Sequence, residues 1–414
     1  MPKDITSDSL PEPAPRARIP LSKPLSHPRF RLLWGANLLS NVGTWTQAFA
    51  SAWLIASLSH SPSTITLVQT ATYLPIFLFA LIAGAAADSV ERPKFLFLCN
   101  LFLALCASAM AILVMSGHAS AAPVLFLTFC MGSGSAFMWP AWQASMSALV
   151  REDEVEAAAT LNNLSYNVAA VIGPALGGFL FHWIGPGALF MANALSFLAL
   201  LGAYWSWWRS GAQPARPQTP YWRTLKLGID AAFGSRGYRR ILLKAGTVFF
   251  ATIAFPSLLP AYVRDVLQRD SGMFGTLMGS LGAGAVVGAL SVSHLRARFD
   301  RAQLLRAALL VYGAMLIAMA LLSARAPVAV LVALVVAGGT AWSTIISTLN
   351  AAAQSSFPPE IRARTLSIYL LAMAGAYTAG SAAWGNLADG VGVAGALLAA
   401  GLYLLAVALP RLRA

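Results

Sequence analysis

Residues 139–179 read WPAWQASMSALV, then REDEVEAAA, then TLNNLSYNVAAVIGPALGGF. The first segment is apolar and reads as a helix ending at Val150. A charged turn follows, with Arg151, Glu152, Asp153, Glu154 and Glu156. A second apolar helix then carries Gly173, Pro174, Gly177 and Gly178. The same plan returns 207 residues later: Gln143 maps onto Asn350, Val150 onto Phe357, Asp153 onto Glu360, Thr160 onto Ser367, Gly173 onto Gly380 and Gly178 onto Gly385. An apolar plan written twice is the mark of a membrane protein built from repeats.

Composition agrees. The 414 residues are 58% hydrophobic and 10% charged, against about 25% charged in an ordinary soluble domain. Such a chain cannot clothe itself in water-facing side chains, so lipid is its expected solvent. A bilayer core of about 30 Å takes roughly 20 apolar residues per helix. Backbone groups in lipid must be satisfied internally, which leaves helices or a closed barrel. The long unbroken apolar runs exclude a barrel, whose strands alternate every second residue.

Twelve candidate spans follow, at about 31–58, 65–87, 94–116, 122–149, 158–182, 186–208, 241–263, 272–293, 302–323, 327–354, 362–387 and 391–410. The expected layout is a polar, Pro-rich tail over 1–28, disordered and cytoplasmic, and a six-helix bundle over 29–208. A basic cytoplasmic linker over 209–240 with Pro214, Pro217 and Pro220 leads to a second bundle over 241–414. The tail lacks the apolar stretch and cleavage site of a signal peptide. With the N-terminus inside, 25 of the 28 Lys and Arg fall on the cytoplasmic side, leaving only Arg264, Arg269 and Arg325 outside. The net charge of +13 therefore reads as topology, with attraction to anionic lipid second. Nucleic-acid binding is not expected. Trp34, Trp183, Trp205, Trp207, Trp208 and Trp222 fall near the span ends, as an interfacial belt would.

Other classes of chemistry find no support. Cys99, Cys106 and Cys130 lie in apolar runs without metal-ligand or disulfide spacing. There is no GxxxxGK[ST] phosphate loop and no Ser–His–Asp or paired-carboxylate arrangement. No enzyme activity, cofactor or metal is expected. No Asp, Glu, Lys, Arg or His falls near the middle of a span, so a buried titrating group of the usual proton-coupled kind is not visible.

Three groups of residues could carry a function. The turn GAAADSVERPK places Gly84, Asp88 and Arg92 at one end of the second and third spans. There a glycine permits close approach, and a helix end or arginine can hold the acid. GPALGG puts Gly173 and Gly177 on one helix face, and Pro174 can bend that helix. Gly275 with Gly279, and Gly284 with Gly288, mark the eighth span in the same way. Finally, amides and aromatics inside spans, such as Asn41, Gln47, Gln143 and Asn350, are costly in lipid and should face a cavity or one another. Phe255, Pro256 and Pro260 make the seventh span a place to bend.

GAAADSVERPK resembles the GxxxD-xxx-R/K signature of the major facilitator superfamily, with Pro93 interrupting the usual basic run. GPALGG resembles its exporter-type proline–glycine motif. With HPRFRLLWGANLLSNVGTWTQAFASAWL over 27–54, the chain from 29 to 410 is similar to the enterobactin exporter-like branch of bacterial efflux proteins. The resemblance implies an all-α membrane protein with twelve transmembrane helices in two pseudo-symmetric bundles. It also implies alternating access, a bacterial inner-membrane location with both termini cytoplasmic, and proton antiport of a siderophore, drug or metabolite by a monomer. It makes Gly84, Asp88 and Arg92 a cytoplasmic gate. It brings the fifth and eighth spans together, through Gly173, Pro174, Gly177 and Gly178 on one side and Gly275, Gly279, Gly284 and Gly288 on the other. It points Asn41, Trp45, Gln47, Trp139, Trp142, Gln143, Trp342 and Asn350 at a substrate cavity. Import or facilitated passage of a neutral solute such as a sugar is the alternative; a non-transporting scaffold or receptor is the alternative of another class.

Overall fold

The computed structural model describes residues 20–211 and 221–409, and among these residues there is no β-strand. Helices α1 (Pro28–Leu58), α2 (Pro62–Ser89), α3 (Arg92–Met115) and α4 (Ala121–Leu149) precede a long α5 (Val155–Arg209). After a short α6 (Tyr221–Gly234) come α7 (Arg236–Thr252), α8 (Ala254–Ala261), α9 (Ser271–Arg296), α10 (Arg301–Leu321), α11 (Val328–Gln354) and α12 (Pro359–Ala408). Local chemistry sets several of these starts. Proline stands in the first turn of α1, α2 and α3, where its missing N–H costs nothing. Asp270 and Asp300 cap α9 and α10 by accepting from the amides of Met273 and Gln303.

Two helices are too long for one crossing, and each is broken by one glycine. Gly185 in α5 has φ 74° and ψ 166°, and Gly392 in α12 has φ 80° and ψ 162°. These angles are open to glycine and strained for other residues. At the first break Pro186 follows at once and starts the new limb. The two breaks are separated by the same 207 residues as the repeated segments.

Nine helical stretches among the described residues are long and apolar enough to cross a membrane. Helix α1 is not among them, although its 31 residues span about 46 Å. Its polar residues lower its hydropathy, and many are buried against neighbours. Asn37 donates to Asn162 at 3.3 Å, Thr46 to the Gly173 carbonyl at 3.1 Å, and Gln47 accepts from Asn193 at 2.6 Å. Polar side chains paired between helices in this way are tolerated inside lipid.

Two regions differ from the linear reading. The expected tail over 1–28 is structured from Lys23 to Ser26, where a 3₁₀ turn buries Pro24. Just beyond it, His27 Nε2 lies 2.6 Å from Oε2 of Glu154, which is 1% exposed. This carboxylate sits at the entrance to α5 and anchors the start of α1. Residues 1–19 lie outside the described part. Within the expected linker, residues 221–234 form α6, which lies along α12 with Gly228 against the Arg364 side chain. Its sequence, YWRTLKLGIDAAFG, is too short and too basic to read as a span, and three prolines precede it, so it passed as part of the linker.

Candidate functional site

Helices on either side of the 212–220 stretch meet along two crossings. In the first, α5 lies on α9. A methyl added at Gly178 would stand 2.8 Å from Cα of Gly275, and one added at Gly275 would stand 2.8 Å from the Pro174 carbonyl oxygen. Gly279 faces Ala175, and Gly282 faces Val171. In the second, α2 lies on α12, with Gly385 against Thr66 and Gly375 against Phe77. Thr70 and Ser381 share a hydrogen bond of 2.7 Å, and the Tyr73 and Tyr377 rings stand 4.8 Å apart. Gly178 and Gly385 are repeat equivalents, so one small-residue device builds both crossings.

The small-residue stripes do not all serve these crossings. Gly173 and Gly177 press against Trp45 and Phe49 of α1, and Gly284 and Gly288 against the Val336 and Thr340 carbonyls of α11. Glycines four apart share a face, and the face holding 173 and 177 is turned to α1, a quarter turn from Gly178.

At the end bearing the α1–α2 and α8–α9 connections, the contacts become continuous. Phe274 stacks on Phe49 at 4.7 Å and on Trp53 at 5.6 Å. Asp389 accepts from the Ser61 hydroxyl at 3.1 Å and from the Ser63 amide at 3.2 Å. Arg264 donates to the Ser59 carbonyl while also holding Asp265. An aromatic pair contributes about 0.5–1.5 kcal/mol beyond its area, and an interhelical hydrogen bond in lipid roughly 0.6 kcal/mol. The seal is therefore a few kcal/mol deep, which a bound ligand could offset.

Towards the other, basic end the helices part. On α5 the stripe formed by Gly178, Ala175 and Val171 touches α9; its continuation, Asn167 and Asn163, is exposed. Nearby, Tyr166 meets the edges of Trp45 and Trp139, both at 5.6 Å. Tyr166 is 37% and Trp139 45% exposed. Gln143, one turn on from Trp139, is exposed as well. The result is an aromatic cleft, closed at one end and open at the basic end.

Several expected cavity residues lie elsewhere. Gln47 is 3% exposed and held between Asn193 and Met131, so it ties α1 to α4 and α5. Trp142 is buried, donates to Asn162 at 2.9 Å and packs edge-on against Tyr204. Both side chains point into the bundle, because hydropathy locates a helix but not its inward face. Asn41 donates to Ser165 at 3.4 Å. Trp342 and Asn350 are both half-buried on α11. Of the expected gate, Gly84 is half-buried late in α2, and Arg92 donates to the Ala144 carbonyl at 3.0 Å, joining α3 to α4. The Asp88 side chain lies outside the described part. Tyr166 joins the site as one of the polar residues inside spans expected to face a cavity or one another, whereas Phe274 and Asp389 join it without having been singled out; an acid at the end of an apolar run was the only signal for Asp389.

Residues 20–414 match the family described as transmembrane secretion effector. The chain belongs to this branch of the major facilitator superfamily. It is similar to the multidrug efflux pump Tap of Mycolicibacterium fortuitum, 25% identical over 407 residues, covering 92% of this chain and 96% of that one. It is also similar to the enterobactin exporter EntS of Escherichia coli, 27% identical over 285 residues, covering 65% and 64%. Among solved structures it resembles the nucleoside transporter NupG, with a TM-score of 0.73 at 11% identity over 92% of this chain and 97% of that one. A bacterial homologue of the lysosomal transporter Spinster, inward-facing and unoccupied, superposes with a TM-score of 0.70 at 16% identity, covering 95% and 96%. The family consists of membrane transporters of small molecules, not of enzymes.

Proposed function

We propose that this protein exports a small aromatic or apolar organic molecule, a drug, siderophore or metabolite, across the bacterial inner membrane by alternating access. The observation that carries this reading is the aromatic cleft, open at the basic end and sealed at the other. On the positive-inside rule the basic end is cytoplasmic, so both termini are inside and the cleft awaits cargo from the cytoplasm. We count twelve crossings: α5 and α12 make two each at their glycine breaks, α7 and α8 together make one, and the other long helices one each. On this count α1 to α5 form one six-helix bundle and α7 to α12 the other. The matching breaks and crossings support a pair related by pseudo-symmetry.

The aromatic walls suit a flat, poorly hydrated ligand, since Tyr and Trp offer large rigid contact area with a polar handle. Tap and EntS, both efflux proteins, support outward direction. Proton antiport supplies the drive, and Gly84, Asp88 and Arg92 close the cytoplasmic end when the outer seal parts. The protein works as a monomer.

Inverted membrane vesicles test this directly. Given a proton gradient with the lumen acidic, so that protons leave as cargo enters, vesicles holding the protein should accumulate fluorescent aromatic drugs or an aromatic siderophore, and an uncoupler should abolish the uptake. Gradient-independent equilibration of the same compounds would mark a facilitator; no movement of any compound in a broad panel would refute export.

A further inference from the structure

A second cavity lies on the outside of the bundle. It runs between α1 and the second limb of α5 (186–209), with a volume of about 550 Å³, within the range of small-ligand sites. Gly35, Leu39, Leu198 and Gly202 are among its walls, and Arg31 stands at its basic end. The two glycines open it: a methyl added at Gly35 or at Gly202 would meet nothing within 4 Å. The positions on α1 are four apart, as are 198 and 202 on α5, so each helix offers one continuous face. From Arg31 to Leu39 the groove rises about 12 Å, close to the depth of one leaflet.

The charge at its mouth is unmatched. Arg31 gives one long hydrogen bond, 3.4 Å, to the Leu25 carbonyl, and among the described residues no carboxylate pairs with it. The α5 face continues past Gly202 to Trp205 and Arg209. Trp205 is 43% exposed, with the Arg209 guanidinium over its ring at 5.2 Å. An unmatched guanidinium at the mouth of a smooth apolar channel, with the Arg209 guanidinium further along the same α5 face over Trp205, which also meets Phe97 of α3 at 5.7 Å, is complementary to one kind of occupant.

We propose that this groove binds one anionic phospholipid of the cytoplasmic leaflet. An acyl chain lies over Gly35 and Gly202, the phosphate faces Arg31, and the net negative headgroup sits between Arg31 and Arg209. Only the naming of the leaflet rests on the orientation proposed above. The site is separate from the aromatic cleft, which lies on the other side of α1.

Native mass spectrometry of the purified full-length protein, titrated with phosphatidylglycerol or with zwitterionic phosphatidylethanolamine, tests the assignment. The wild type should take its first phosphatidylglycerol about tenfold more tightly than phosphatidylethanolamine. The exposed double substitution Arg31→Gln with Arg209→Gln should abolish that preference. Filling the channel by Gly35→Leu with Gly202→Leu should remove the first tight binding of either lipid. Equal binding of the two lipids by the wild type, or a preference that survives either pair of substitutions, would overturn the proposal.

Discussion

Single residues decide whether the two crossings can form. Gly178 and Gly275 approach so closely that neither tolerates a side chain without the helices moving apart. Gly178→Leu should therefore cost about 1–3 kcal/mol of stability, the usual range for overpacking, and abolish transport. Gly35→Ala or Gly202→Ala, with open space around each, should leave both unchanged. Thermal unfolding in detergent with a transport assay checks the contrast. Within the cleft, Tyr166 holds Trp45 and Trp139 edge-on. Tyr166→Ala removes two aromatic pairs of about 0.5–1.5 kcal/mol each, and should weaken binding of aromatic cargo about tenfold while sparing membrane insertion. Unchanged affinity in a tryptophan-quenching titration would take Tyr166 out of the site. Which residues line a cleft was the least legible part of the sequence. Trp139 and Trp142 sit three apart on one helix, yet one faces open space and the other the core. Asn41 and Gln47 satisfy their amides inside the bundle, as buried polar groups must.

Among elements, the hydropathy pattern placed most helices within a few residues, because a run of about 20 apolar residues has few other uses. It could not see the 3₁₀ turn near Pro24, which packs on α1 and α5, or α6, which packs on α12, because their stability comes from these contacts rather than from local apolarity. The crossing of α2 on α12 is a rigid, testable contact. Thr70 and Ser381 hydroxyls lie 2.7 Å apart. Cysteines at both positions should form a disulfide in the state described here, and oxidation should stop transport until reducing agent is added. Persistent failure to cross-link would mean that α2 and α12 are not packed in the resting protein. At the opposite end of α2, Asp88→Asn should cut transport at least tenfold, in line with loss of a charge-assisted contact made in only one state. Normal insertion of the variant would separate that effect from misfolding, and normal transport would dismiss Asp88 as a gate.

At the scale of the whole molecule, the proposal of two related halves rests on one repeated plan. The offset of 207 residues, legible between 139–179 and its partner segment, recurs in the glycine breaks at 185 and 392 and in the equivalent crossings of α5 on α9 and α12 on α2. A fold with such symmetry can tip either way at similar cost, provided that the seal at each end is shallow. The seal of Phe49, Trp53 and Phe274, with Asp389 held by Ser61 and Ser63, at the end away from the basic residues, meets that condition. Asn167 offers the most direct measurement, since it lies where the α5 stripe leaves α9 and enters the open cleft. In a variant with Cys99, Cys106 and Cys130 replaced and Asn167→Cys introduced, a membrane-impermeant thiol reagent should label that cysteine from the cytoplasmic side at rest. It should label from the outside only once cargo and a proton gradient are supplied. Labelling from outside in the resting protein, or from the cytoplasmic side alone under every condition, would contradict alternating access through this cleft.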